Sequence, residues 1–244
     1  MLNRNEAFDE SFRVSLQGAS AVAQSTSTRD FPMFAGTPTD SWRYRYVKRA
    51  IDVVFSLVAI PAFALPGLMI AAAIVLTSEG PVFYREERIG RNGRAFRIWK
   101  FRTMSQDAGR QIPVADPELG EAELDLRMQK HRPNPRITPV GAFLRTWSLD
   151  EFPQFFNVLR GDMSLIGPRP VVKEELHLFG NLRHCYLRAT PGLSGLWQVS
   201  GRCHLNYEKR ARLDAAYVNT WSLRSDFDIL LRTIPAVLQH NGAC

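Results

Sequence analysis

From Val53 to Leu76 the chain carries no charged side chain, and Asp52 closes the run on its N-terminal side. As one straight helix this run would extend about 36 Å, enough to cross a hydrocarbon core of roughly 30 Å. Pro61 and the pair Pro66-Gly67 interrupt its middle. Each proline removes a helical hydrogen bond and crowds the preceding turn, so a bend is expected there. The limbs on either side are then about 10–15 residues long, too short to span alone. Arg43, Arg45, Lys48 and Arg49 precede the run, and Arg85, Arg88, Arg91 and Arg94 follow it. A single crossing would carry one basic cluster outside, against the tendency of positive charge to stay inside. A helix that bends at Pro61 and Pro66 and returns keeps both clusters on one side. That re-entrant hairpin is the predicted arrangement, and a kinked ordinary span is its competitor.

Beyond the run the pattern changes. Pro81-Val82-Phe83-Tyr84 and Ala95-Phe96-Arg97-Ile98-Trp99 read as strands, and Gly90-Arg91-Asn92-Gly93 supplies the turn of a β-hairpin. Residues 105–135 are polar, hold Pro113, Pro117, Pro133 and Pro135, and read as an insertion with one short helix from Glu121 to Lys130. Helices are predicted over 151–160, 171–179, 206–221 and 226–239. Residues 1–41 are rich in Ser, Thr, Ala and Gln, lack a sustained apolar period, and read as a disordered tail. The expected organisation is this tail at 1–41, a re-entrant membrane helix with its basic flank at 42–79, and a catalytic domain at 80–244. The expected fold class is mainly α with a small β-hairpin.

The chain has 244 residues and a formal net charge of +7, a balance that suits nucleic acid, anionic lipid or phosphorylated substrates alike. The apolar run shifts the weight towards a membrane surface. The three cysteines, Cys185, Cys203 and Cys244, form no CxxC pair, so reduced thiols are expected and a zinc site is not. There is no GxxxxGK[ST] loop and no GxGxxG after a strand, which argues against a P-loop or Rossmann site.

Candidate chemistry gathers in two places. Asp150 and Glu151 are adjacent carboxylates. Ser148-x-x-Glu151 matches a capping box, but Pro153 would then fall too far into the helix. A start at Asp150 puts Pro153 in the first turn and Asp150 at the positive end of the helix dipole, where an ionised carboxylate is favoured. Such a group can act as nucleophile or metal ligand, and capping and catalysis stay open as equal readings. Arg169 lies between Pro168 and Pro170, which restrict the backbone and pre-organise a guanidinium suited to phosphate. Lys100, Arg102, Arg145 and Arg202 add enough cations for a substrate pyrophosphate.

These residues fall in stretches that together resemble the bacterial sugar transferases, the monotopic phosphoglycosyl transferases. The stretches are Lys48-Arg49-x-x-Asp52 with the apolar hairpin, Gly80-Pro81-Val82-Phe83, Arg88-x-Gly90, Lys100-Phe101-Arg102-Thr103-Met104, Pro135-Arg136-Ile137-Thr138, Ser148-Leu149-Asp150-Glu151, the run from Gly161 to Pro170, and the run from Pro191 to Arg202. They occur in family order from about Tyr46 to the C-terminus. The resemblance implies transfer of a sugar 1-phosphate from a UDP-sugar to undecaprenyl phosphate, with release of UMP. It implies Asp150 as nucleophile, Glu151 as its dyad partner, and Mg²⁺ at Asp150 and Glu151. Lys100, Arg102, Arg145, Arg169, Gln198 and Arg202 become expected phosphate or nucleotide ligands, and Pro66 the helix-breaking proline, with Pro61 an extra break. The expected location is the cytoplasmic face of a bacterial inner membrane, where its lipids and downstream glycosyltransferases are expected partners and nucleic acid is not. Leu65 and Thr190 depart from the residues common at those positions. The long members of the family carry a further multi-span membrane domain, so a compact form is expected here. Two alternatives remain: an inactive membrane scaffold of the same fold, and a basic nucleic-acid-binding protein.

Overall fold

The computed structural model describes residues 36–105, 136–201 and 205–238. The helix expected at 121–130, Arg202, Cys203, Cys244 and most of the expected tail lie outside the described residues. Among the described residues a 3-10 turn, Pro38–Asp40, already lies inside the segment read as a tail. Thr39 is fully buried, and Asp40 pairs with Arg188 at 3.2 Å.

A π-helical turn, Arg43–Lys48, runs directly into helix α1, Arg49–Ala62, and helix α2 follows at Ala64–Thr77. The two limbs meet at Phe63 with a bend of 59°. The prolines explain the place. Pro66 is the third residue of α2, inside the first turn, where a missing N–H goes unnoticed. In an unbroken helix its ring would collide with the carbonyl of Ala62. Pro61 lies in the last turn of α1. Backbone bonds bridge the corner, from Phe63 N–H to Ala59 O at 2.9 Å and from Gly67 N–H to Phe63 O at 2.8 Å. No single described helix is long and apolar enough to cross a membrane, whereas the bent pair is by length and composition. One side of the pair packs inward through Ala59 and Ile74. The other leaves Val54, Val58, Leu65, Leu68, Met69 and Leu76 between 63% and 84% exposed. Both flanks return to one part of the molecule: Arg91 donates to Thr39 O at 3.1 Å and lies over the Tyr44 ring.

Strands β1, Phe83–Ile89, and β2, Ala95–Phe101, form the expected antiparallel hairpin in the register Phe83 to Phe101 through Ile89 to Ala95. Its turn uses positive φ at Asn92 and Gly93. The first strand extends past the expected Tyr84 into charged sequence, because the charges are accommodated laterally: Arg85 lies 3.7 Å over Trp99 and Arg88 pairs with Glu86.

Helix α3, Pro139–Thr146, was not anticipated, although Thr138 caps it by accepting from Gly141 N–H at 2.9 Å and Pro139 opens it. Helix α4, Gln154–Arg160, occupies most of the expected 151–160. The parallel strands β3, Ser164–Ile166, and β4, Gly192–Ser194, were also missed. They are too short to show a period. Their pairing depends on glycine: a Cβ on Gly192 would lie 2.1 Å from the Gly167 nitrogen.

The helix expected at 171–179 is corrected. Val171 is extended, its N–H bonded to the Tyr186 hydroxyl and its carbonyl to Ile89 N–H, so no helix can begin there. Instead 3-10 turns run over Glu174–Leu182, kinked at Gly180, into the short helix α5, Arg183–Tyr186. Helices α6, Leu196–Val199, α7, Tyr207–Thr220, and α8, Leu223–Leu238, complete the described chain. The main core joins Val158, Met163, Trp197, Tyr217, Val218 and Ile229. The described fold is thus mostly helical with two small sheets.

Candidate active site

Helix α4 carries the carboxylate pair at its front, and its back and middle are fixed. Arg49 of α1 donates to the Val158 carbonyl and, at 2.6 Å, to the Leu159 carbonyl. This places a cation on the negative end of α4, where it takes up the Leu159 carbonyl and shares that of Val158 with the Gly161 N–H at 3.0 Å. Asp52, one turn further along α1, accepts from Ser164 Oγ and Leu165 N–H, both at 3.0 Å. Lys48 pairs with Asp226 of α8 at 2.6 Å. The Lys48-Arg49-x-x-Asp52 stretch therefore staples the bent apolar pair to the rest of the fold. Asn157 uses its side-chain amide as a strand would: it accepts from Trp99 N–H at 3.0 Å and donates to Arg97 O at 2.8 Å along the open edge of β2.

At the front, Ser148 adopts left-handed backbone geometry, φ 55° and ψ 23°, and its side chain caps nothing. The capping-box reading is therefore not realised. A 3-10 turn, Leu149–Glu151, leads towards α4, and Pro153 sits at the N-cap, where it interrupts no hydrogen bond. The reversal at Ser148 turns Asp150 inward, and its side chain is buried. Glu151 meets Lys100 of β2 at 2.7 Å. Phe152, next in sequence, packs against Phe63, the corner of the apolar pair, with the rings tilted by 39°.

Arg145 of α3 donates from Nε to Thr103 Oγ1 at 2.9 Å. Burial lowers its pKa, and the negative charge of Asp150 works in the opposite direction. The close approach needs a glycine: a Cβ on Gly141 would fall 2.1 Å from the Thr103 carbonyl oxygen. Lys100, Arg145, Asp150 and Glu151 are thus brought together. Arg102 is placed otherwise. Its buried guanidinium donates to the carbonyls of Glu79 and Ser78 and to Ser78 Oγ, closing the C-terminal end of α2. It faces helix carbonyls, not an open site.

Arg169 lies in a second grouping. Its guanidinium is over Trp197, 6.0 Å from the ring centroid, and no ion pair or hydrogen bond engages it among the described residues. The main chain around it is tightly held. Gly192 N–H donates to Pro168 O at 2.8 Å, Arg88 donates to Pro170 O at 3.2 Å, and the Arg169 N–H bonds the Asp214 carboxylate. Burial raises the pKa of Asp214 well above the carboxylate range, against the pull of Arg169. Arg210 lies 4.7 Å over the same Trp197 ring. Gln198 donates from Nε2 to Leu193 O at 3.2 Å. Asn157, Arg210 and Asp214 did not stand out in the sequence. Their roles are set by partners distant in sequence, which no local pattern reveals.

Among the described residues no group of three or more His, Cys, Asp or Glu could hold a metal. Asp150 and Glu151 offer two carboxylates. That set fits Mg²⁺ in the manner typical of phosphate enzymes, where one or two carboxylates bind the ion and water and substrate phosphate complete it.

The profile described as "Bacterial sugar transferase" matches residues 43–240. The exopolysaccharide production protein ExoY of Rhizobium meliloti is 43% identical over 197 residues, covering 80% of this chain and 87% of that protein. An undecaprenyl-phosphate galactose phosphotransferase of Salmonella typhimurium is 42% identical over 82% of this chain, which spans only 42% of that longer protein. A UDP-glucose:undecaprenyl-phosphate glucose-1-phosphate transferase of Caulobacter vibrioides is 38% identical over 80% of this chain and 71% of its own length. With the profile running from the π-helical turn through α8, and with 43% identity to a relative covered over most of its length, the chain belongs to the bacterial sugar transferase family.

Proposed function

We propose that this protein transfers a sugar 1-phosphate from a UDP-sugar to undecaprenyl phosphate at the cytoplasmic face of a bacterial inner membrane, as the first membrane step of polysaccharide synthesis. The observation that carries the proposal is the convergence of Asp150, Glu151, Lys100 and Arg145 beside the corner of the bent apolar pair. A buried carboxylate among cations suits attack on a phosphate, and the exposed apolar face suits a bilayer that holds the lipid acceptor. The return of both basic flanks to one side supports a re-entrant insertion over a crossing.

In the first half-reaction an Asp150 carboxylate oxygen forms a bond to the β-phosphorus of the UDP-sugar. The bond from that phosphorus to the bridging oxygen breaks, and UMP leaves with the electron pair. In the second, an oxygen of undecaprenyl phosphate attacks the same phosphorus and Asp150 departs as a free carboxylate. Lys100 and Arg145 offset the repulsion between carboxylate and diphosphate. Arg169, uncommitted and rigidly presented, is a phosphate ligand. Mg²⁺, held by Asp150 and Glu151, would supply further charge neutralisation at the phosphate. The fixed position of Arg102 supports a role in seating α2, not in binding substrate.

The test uses purified protein, Mg²⁺ and a panel of UDP-sugars without lipid acceptor. A stoichiometric UMP burst and one sugar phosphate added to the peptide carrying Asp150 are expected. Release of UMP only when undecaprenyl phosphate is present, with no labelled peptide, would indicate direct transfer in a ternary complex.

A further inference from the structure

Asp150, Pro153, Gln154, Asn157 and Val158 form the buried face of the turn and helix that carry the carboxylate pair. Two of them are amides, and they are used differently. Asn157 spends both ends on the backbone of β2. Gln154 is only 2% exposed, yet its Nε2 is buried without a hydrogen-bond partner among the described residues. Leaving a buried N–H unpaired is destabilising, and an apolar side chain of similar volume would serve packing better. The position is therefore poor as structure. It sits one turn from Asp150, on the same face.

We infer that Gln154 donates from Nε2 to the phosphoryl group that is transferred through Asp150. The partner is not Asp150 itself, whose carboxylate is already present on that face and does not engage the amide. The missing acceptor must arrive with substrate. The atoms that come closest to Asp150 during reaction are the oxygens of the attacked phosphoryl group, which carry negative charge and accept hydrogen bonds. The same phosphoryl group is attacked in both half-reactions, so the amide acts in both. This inference rests on the transfer reaction proposed above.

The experiment compares the full-length wild-type protein with Gln154→Met, which keeps volume and removes the donor, and Gln154→Glu, which keeps shape and replaces the donor by an acceptor. Thermal unfolding is measured first. Gln154→Met is expected to unfold at the same temperature as wild type or higher. A clear fall would show that the amide is already bonded in the free protein, and would overturn the inference whatever the activity. Single-turnover rates follow: UMP release without lipid, then discharge of the sugar phosphate on adding undecaprenyl phosphate. Both steps should slow by about 10²-fold in both variants, the effect of removing one preorganised donor. Unchanged rates, or slowing of one half-reaction alone, would show that the amide does not touch the shared phosphoryl group. A wild-type protein that releases no UMP from any UDP-sugar would instead remove the underlying reaction, and the inference with it.

Discussion

The two ends of helix α4 differ in how completely their polar groups are used. At the back, Arg49 takes up the Val158 and Leu159 carbonyls, and Gly161 ends the helix in left-handed geometry, φ 91°. At the front, Ser148 holds a strained left-handed backbone, Asp150 is a buried carboxylate, and Gln154 has an unpaired amide. The back behaves as scaffold and the front as site. Between the two ends, the Asn157 bonds tie the middle of the element to β2. Strain and unpaired polarity accumulate where chemistry needs them, and compensation is placed one or two turns away.

Replacing the polar side chains at the front, Asp150 and Gln154, should therefore change activity and leave stability, and replacing Arg49 at the back should do the reverse. The largest effect is expected from Asp150→Asn. Turnover should fall by about 10⁴-fold or more, the scale seen when a nucleophile is removed. The melting temperature should not drop, since the amide is nearly isosteric. Residual turnover near the wild-type rate would remove Asp150 from the mechanism.

Arg49→Met tests the other end. Two hydrogen bonds from a charged donor are lost, with Gly161 N–H remaining only on the Val158 carbonyl, so unfolding by denaturant should show a loss of about 2 kcal/mol or more. A stability equal to wild type would mean that the apolar pair is not stapled through α4.

Ser148→Val probes the strain itself. A β-branched residue resists left-handed geometry, and a loss of about 1–2 kcal/mol is expected. Ser148→Gly should be tolerated. Equal tolerance of valine would show that the turn relaxes and does not fix Asp150.

The smallest effect concerns Asp214, which supports Arg169 and lies far along the chain from α4. Its carboxyl pKa is raised in the folded protein by burial. Below the ordinary carboxyl value of 3.8 both states hold the proton and no penalty arises. As pH rises past it, the unfolded chain ionises first and folding stability declines. Asp214→Asn should therefore be more stable than wild type near pH 7–8, with the advantage vanishing below about pH 4. A constant difference across that range would mean that Asp214 does not titrate out of step with the unfolded chain.

Much of the architecture was legible because it is written locally. The bend between Pro61 and Pro66, the hairpin turn at Asn92-Gly93 and helices α7 and α8 follow from proline, turn chemistry and periodicity. Asp150 and Glu151 stood out as neighbours in sequence, and the cations around them as motif positions. What failed to show is what depends on distant partners. The residues 171–179 have an acceptable helical composition, but Ile89 and Tyr186 claim the backbone of Val171 first. Strands β3 and β4 are three residues each and exist only because glycines at 167 and 192 let two backbones touch. Arg102 and Arg169 look equivalent as basic motif residues. One is consumed by the carbonyls at the end of α2, and the other is left open over Trp197. The sequence by itself determined the apolar bent pair, the helical content and the chemical types available. Only the tertiary structure decided which of those groups are spent on holding the fold, because a hydrogen bond or ion pair between residues far apart in the chain depends on where folding brings them.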